Sequence, residues 1–220
     1  MENRLKGRKV AILATDGVEQ DEVEEPRRAL DAAGAILHLI APRGDSIQAM
    51  NCDEKGARLP VDRTVSEVRA SEYAALLLPG GVANPDRLRL DAGAVQFVRE
   101  FMLSDRPVAA ICHGAWMLVE AGAVGGRTLT SWPSLATDIR NAGGAWVDET
   151  VCIDDKLITS RSPEDLSSFC AAMVREFSRH IDDAQEARLG ERGFPASDPA
   201  SGSAAGREGA ARDAKANFAL

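Results

Sequence analysis

The chain has no Cys-x-x-Cys pair and no cluster of cysteines: its four, Cys52, Cys112, Cys152 and Cys170, lie far apart. In a reducing compartment that spacing reads as free thiols rather than a disulfide framework. Cys152 falls in a short strand pattern and Cys170 on a helix, so both read as packing residues, while Cys52 carries no clear assignment. No apolar run is long enough to cross a bilayer, so a membrane is not an expected partner. The basic N-terminus, Met1 to Lys9, lacks a signal-peptide core and cleavage site, so a cytoplasmic location is expected. Basic charge is also scarce. The 26 Lys and Arg against 34 Asp and Glu leave a net charge of −8, and with no basic stripe nucleic acid is not an expected partner. No metal-ligand cluster and no phosphate-binding fingerprint occurs, so neither a metal nor a cofactor is expected.

What is present divides the 220 residues into an α/β domain over 8–182 and a C-terminal extension over 183–220. The extension is rich in Ala, Gly, Ser, Arg and acids, is interrupted by Pro195 and Pro199, and is expected to be flexible or extended. It offers only isolated apolar residues, Phe194 and Phe218-Ala219-Leu220, for docking on a neighbour. Within the domain, Val10–Ala14, Ala35–Ile40 and Ala74–Leu78 are short apolar runs suited to buried parallel strands. A helix is expected from Pro26 to Ala33 with Gly34 as its stop, and another over Ala92 to Leu103. A hairpin-like insert spans about Ser46 to Val65, smaller strands lie around Thr128, Trp146, Val151 and Leu157, and a last helix runs from Pro163 to about Arg179. This alternation predicts a mostly parallel sheet sandwiched by helices.

The most informative segment is Pro107-Val108-Ala109-Ala110-Ile111-Cys112-His113-Gly114-Ala115. An apolar run ends at a cysteine, small residues stand two positions either side, and the helical pattern Trp116-Met117-Leu118 follows. That is the layout of a nucleophile elbow, a tight strand-to-helix turn that lifts a reactive side chain out of the sheet. The N–H groups and dipole of the following helix are expected to lower the thiol below its free value of about 8.5.

Open sheets of this kind bind ligands outside the carboxyl ends of their strands. Three such ends carry unusual residues: Asp16 to Glu22, Pro79-Gly80-Gly81, and Cys112-His113. They are expected to meet in one cleft. Glu22 is the expected acid beside the thiol, its own pKa raised by burial and like charge so that it can shuttle a proton; Glu19 is the second candidate. The N–H groups of Gly80, Gly81 and His113 are the candidate oxyanion hole. The His113 ring need not reach Cys112, because neighbours at an elbow generally point apart. His38 reads as a strand-interior residue and His180 as a helix-end residue.

Together these segments resemble the ThiJ/PfpI superfamily of class I glutamine amidotransferase-like proteins, in its PfpI-like branch. The resemblance rests on Asp16 to Pro26, Leu78 to Gly81, Ala110 to Gly114 and Thr130-Ser131-Trp132-Pro133. Asn141 to Asp148 and Thr159-Ser160-Arg161 extend it, and it covers residues 8 to 179. It implies a flavodoxin-like sandwich that assembles into homodimers or larger homo-oligomers, with Cys112 as nucleophile and Glu22 hydrogen-bonded to it. In the PfpI-like branch it further implies that His113 is a catalytic partner completed by an acid from another subunit, for which Asp86 is the nearest match. Trp132 stands where several relatives place a tyrosine or histidine facing the cysteine; an indole can wall a pocket or donate one hydrogen bond but cannot act as a base.

The expected function is a cofactor-free, cysteine-dependent stress enzyme acting on reactive dicarbonyls, of glyoxalase III or deglycase type, converting methylglyoxal to lactate. The alternative is a PfpI-like intracellular cysteine peptidase acting on peptides. A further alternative is a non-enzymatic redox-sensing or chaperone-like stress protein, since an exposed thiolate is easily oxidised. A glutamine amidotransferase would need a later histidine and glutamate, and only His180 lies downstream.

Overall fold

Strand β1 (Lys9–Leu13) shows why this sequence makes a three-layer sandwich. Its successive side chains point to opposite faces, and both faces are apolar: Val10 and Ile12 enter one core, Ala11 and Leu13 the other. The structure, a computed structural model, describes residues 4–192, with side chains described as far as Ile181. Of the extension expected over 183–220, residues 183–192 belong to the last helix, and the rest, with Phe194 and Phe218 to Leu220, lies outside the described residues.

After β1 come β2 (Val18–Glu19), α1 (Gln20–Ala32), β3 (Ile36–Ala41), β4 (Ser46–Asn51), β5 (Glu54–Pro60) and β6 (Arg63–Thr64). The middle of the chain forms β7 (Ala75–Leu78), α2 (Ala83–Leu88), α3 (Ala92–Leu103), β8 (Val108–Ile111) and α4 (Ala115–Glu120). The remainder forms β9 (Thr128–Leu129), α5 (Ala136–Asn141), β10 (Ala145–Trp146), β11 (Val151–Asp154), β12 (Leu157–Ser160) and α6 (Leu166–Arg192). The main sheet runs β11-β12-β8-β7-β1-β3-β6. Every pairing in it is parallel except that of β11 with β12. The central order β3-β1-β7-β8-β12 is the flavodoxin-like winding, which places a crevice where the order reverses beside β1.

Helices α1 and α6 cover one face through Val23, Leu30, Phe169, Met173 and Phe177. The other face is covered by α3 and α4 through Phe97, Val98, Phe101 and Leu118. Asp91 caps α3, its side chain accepting from the Ala94 N–H at 2.8 Å.

Two elements differ from the sequence reading. Helix α1 begins at Gln20 rather than Pro26, because its buried face is Glu22, Val23, Pro26 and Leu30, in which the glutamate reads as solvent-facing. Pro26 lies inside the helix and lacks the N–H that would bond the Glu22 carbonyl. Helix α6, expected to end near Arg179, continues to Arg192. The insert is the expected hairpin, β4 with β5, but it also pairs with β2 to make a second, three-stranded sheet. Among the described residues no helix is long and apolar enough to cross a membrane.

Candidate active site

Three strand ends converge as the topology demands. Cys112 follows β8 with φ +58°, the left-handed region that non-glycine residues rarely occupy. That is the strained turn of an elbow. It needs Gly114, where a Cβ would run into the carbonyls of Leu78 and Pro79. Next to it, Gly80 follows β7, and a Cβ there would lie 2.7 Å from Glu22 Oε2, 2.8 Å from Cys112 Cβ and 2.8 Å from the His113 N. The missing side chain of Gly80 is the space in which acid, nucleophile and elbow amide meet.

Glu22 is fully buried in the first turn of α1. Its Oε2 accepts from the Gly80 N–H at 2.7 Å, and its Oε1 is buried without a hydrogen-bond partner. Burial, only partly offset by the Gly80 N–H, pushes the carboxyl up to about 8, so at neutral pH Glu22 is mainly the protonated acid. This agrees with the expectation from the sequence.

The thiol departs from expectation. Burial, followed by the charge of Glu22, raises the Cys112 thiol, against which the N–H groups of His113 and Gly81 act to lower it. The side chain is 6% exposed, and α4 is a six-residue helix, so the helix dipole does not offset the loss of water around sulfur. The repulsion from Glu22 acts only while that carboxyl is ionised. The two groups therefore titrate as a pair.

The oxyanion donors also differ in part. The Gly80 N–H is committed to Glu22, which leaves the Gly81 and His113 N–H groups facing the sulfur. The His113 ring does reach Cys112, with Nδ1 3.3 Å from Sγ. Burial lowers its pKa, so the imidazole is neutral. It is held between two indoles, stacked on Trp132 at 5.9 Å and edge-on to Trp116 at 5.3 Å between ring centroids. Trp132 is 41% exposed and walls the site, and its backbone N–H donates to the Cys112 carbonyl at 3.2 Å.

Glu19 is not a free second acid. It occupies the N-cap position of α1, and its carboxylate accepts from the Cys52 N–H at 3.1 Å, tying the hairpin to the site; its charge adds to the upward shift of Glu22. Asp86 lies exposed in the first turn of α2. His180, read from the sequence as a helix-end residue, is instead buried in the interior of α6 beside Glu176 and Arg179, because the helix continues to Arg192. Cys152 and Cys170 are buried and half-buried, and Cys52 is exposed.

One residue escaped the sequence reading. Asn84 is fully buried. Its Nδ2 donates to the Pro79 carbonyl at 2.9 Å and the Gly80 carbonyl at 3.0 Å, and its Oδ1 accepts from the Thr15 N–H at 2.7 Å. In sequence it looks like any polar loop residue; its place three residues after Gly81 was the available signal.

Residues 8–176 match the sequence model of the DJ-1/PfpI family. The chain is similar to General stress protein 18 of Bacillus subtilis, with 39% identity over 165 residues, covering 74% of this chain and 94% of that protein. It is equally similar to Protein/nucleic acid deglycase 2 of Escherichia coli, with 39% identity over 171 residues, covering 76% of this chain and 96% of that one. Among solved structures, a two-domain protein from Anabaena variabilis with DJ-1/ThiJ/PfpI-like and ferritin-like domains superposes with a TM-score of 0.72 at 33% identity. That match covers 83% of this chain and 48% of the two-domain chain.

Proposed function

The chain belongs to the DJ-1/PfpI family, and on that premise we propose that it is a cysteine-dependent enzyme for reactive dicarbonyls and their early adducts. The observation that carries this reading is the buried Glu22 carboxyl, protonated near neutrality, with one oxygen unpartnered beside the Cys112 thiol. Its similarity to a protein named as a deglycase supports it.

With methylglyoxal, the reactive form of the pair holds one proton, on Glu22, and a thiolate on Cys112. The sulfur adds to the aldehyde carbon, forming a C–S bond as the carbonyl π pair moves to oxygen. The Gly81 and His113 N–H groups stabilise that charge, and Glu22 protonates it to a hemithioacetal. Glu22, now a carboxylate, takes the proton from the former aldehyde carbon as that C–H pair forms a C=C bond and the ketone π pair moves to its oxygen, which takes the proton of the adjacent hydroxyl. Glu22 then returns its proton to the former ketone carbon as the thioester C=O forms. The product is a lactoyl thioester, which water hydrolyses to lactate and the free thiol. Methylglyoxal plus water gives lactic acid, so no external oxidant or reductant enters.

The test is lactate formation by wild type and Cys112→Ser, with circular dichroism to check the fold. The substitution is expected to abolish turnover, and wild-type rate in the folded variant overturns this mechanism.

One observation favours a second reading, peptide hydrolysis: His113 Nδ1 lies 3.3 Å from the sulfur, within reach to protonate a leaving amine. It requires Asp86 of a second copy to orient that ring. Casein cleavage lost in both His113→Gln and Asp86→Asn, with lactate formation retained, would select it.

A further inference from the structure

The two peptide groups of the Pro79–Gly81 turn are gripped from behind by a single side chain. Each is trans, since no cis peptide occurs among the described residues. A trans peptide points its C=O and N–H in opposite directions. The carbonyls of Pro79 and Gly80 both accept from Asn84 Nδ2. The N–H groups across those same peptides, of Gly80 and Gly81, must therefore face the other way. There the first meets Glu22 Oε2 at 2.7 Å and the second faces Cys112.

We propose that Asn84 is a positioning residue for the reaction above: by holding the two carbonyls, it aims the Gly80 N–H at the acid and the Gly81 N–H at the nucleophile. The proposal rests on the functional reading only for its activity readout. Few side chains fit the task. It needs two donors close together and one acceptor on a short stem, because Oδ1 must also anchor Thr15 at the end of β1. Asparagine has all of these. Aspartate of the same shape has no donor for either carbonyl, and serine has one at most. The Glu19 N–H reaches the Gly80 carbonyl only at 3.4 Å, so it does not substitute for the amide.

The test compares wild type with Asn84→Ser and Asn84→Asp, at temperatures where each is folded by circular dichroism. Rates are expressed per folded molecule. The first readout, independent of any substrate, is the pH profile of Cys112 alkylation by iodoacetamide, read by mass spectrometry. With the Gly81 N–H no longer aimed, its midpoint is expected to move upward in both variants. The second readout is methylglyoxal turnover: kcat is expected to fall roughly tenfold or more, as for a weakened oxyanion donor, with KM changed less than about threefold. A purely structural role for Asn84 would lower thermal stability but leave the midpoint and the kcat per folded molecule where they were, and that result overturns the proposal. Should both variants fail to fold, NMR of the wild-type protein decides. The Asn84 Nδ2 protons are expected to shift with the same pH midpoint as Cys112 alkylation, and resonances indifferent to that titration overturn the proposal. Failure of the Cys112→Ser test would remove the turnover readout alone, leaving the alkylation profile to judge Asn84.

Discussion

The Gly80 backbone N–H donates a 2.7 Å hydrogen bond to Glu22 Oε2, and the second oxygen of the same carboxyl has no partner. A buried carboxylate needs more donors than one; a neutral acid does not. This is the physical reason that burial pushes Glu22 up to about 8. The folded value lies above the unfolded one of about 4.3. The stability it contributes is therefore whole below that unfolded value and is lost as pH rises through the folded value. Between pH 5 and 8.5 wild type should lose up to about 4 kcal/mol relative to Glu22→Gln. Urea unfolding at the two pH values measures this, and parallel losses would mean that Glu22 is ionised throughout.

The same pairing sets the reactivity of sulfur. The productive form has one proton on the pair, so Cys112 alkylation should begin to rise with pH as the pair loses its first proton, and stay incomplete while ionised Glu22 repels the thiolate. In Glu22→Gln the thiol titrates alone, free of that repulsion but with burial still opposing its charge, so its midpoint should move down from wild type while staying above the ordinary thiol value of about 8.5. Mass spectrometry resolves Cys112 from the exposed Cys52. A profile unchanged by Glu22→Gln would show that the two groups do not share the proton.

Gly80→Ala is the sharpest steric probe of the site. Its Cβ would sit 2.7 Å from Glu22 Oε2 and 2.8 Å from both Cys112 Cβ and the His113 N. These neighbours include backbone, so the turn must move rather than a flexible tip. Overpacking of this kind costs about 1–3 kcal/mol, and kcat should fall by about 100-fold or more as the donors leave the sulfur. Kinetics on methylglyoxal with urea unfolding alongside would check both; activity near wild type would mean that the turn relaxes freely.

The strands were legible because they are buried on both faces: Ala75–Leu78 and Val108–Ile111 are apolar at every position. Helix α3 was legible from its amphipathic run, and the Asp91 cap that fixes its start was not among the signals used. Cys112, Glu22, Gly80 and Gly81 were legible as a constellation because the topology sends their strand ends to one crevice. The start of α1 was hidden by Glu22, a core residue with a polar name. The pairing of Val18 with Ala49 was hidden because a two-residue strand has no period. Asn84 was hidden because its work is hydrogen bonding to backbone, which leaves no mark on hydrophobic pattern. The state of the thiol was misjudged because burial is a property of the assembled cleft, not of the elbow segment.

The stacking of Trp132 on His113 separates the two chemical readings. Removing the indole in Trp132→Ala opens the imidazole to water on the face that is now covered. Since burial is what lowers the His113 pKa, the value should rise toward the ordinary 6.5 or so, as followed by the ring proton resonances. Loss of one aromatic contact should cost about 1 kcal/mol. If the imidazole donates a proton to a leaving amine, the pH profile of peptide cleavage should shift upward with it. Lactate formation, which runs through Glu22 and the Gly81 and His113 backbone N–H groups, should keep its pH midpoint. A parallel shift of both profiles would place the His113 ring in the dicarbonyl reaction as well, and would require a proton path that passes through the imidazole rather than the buried acid.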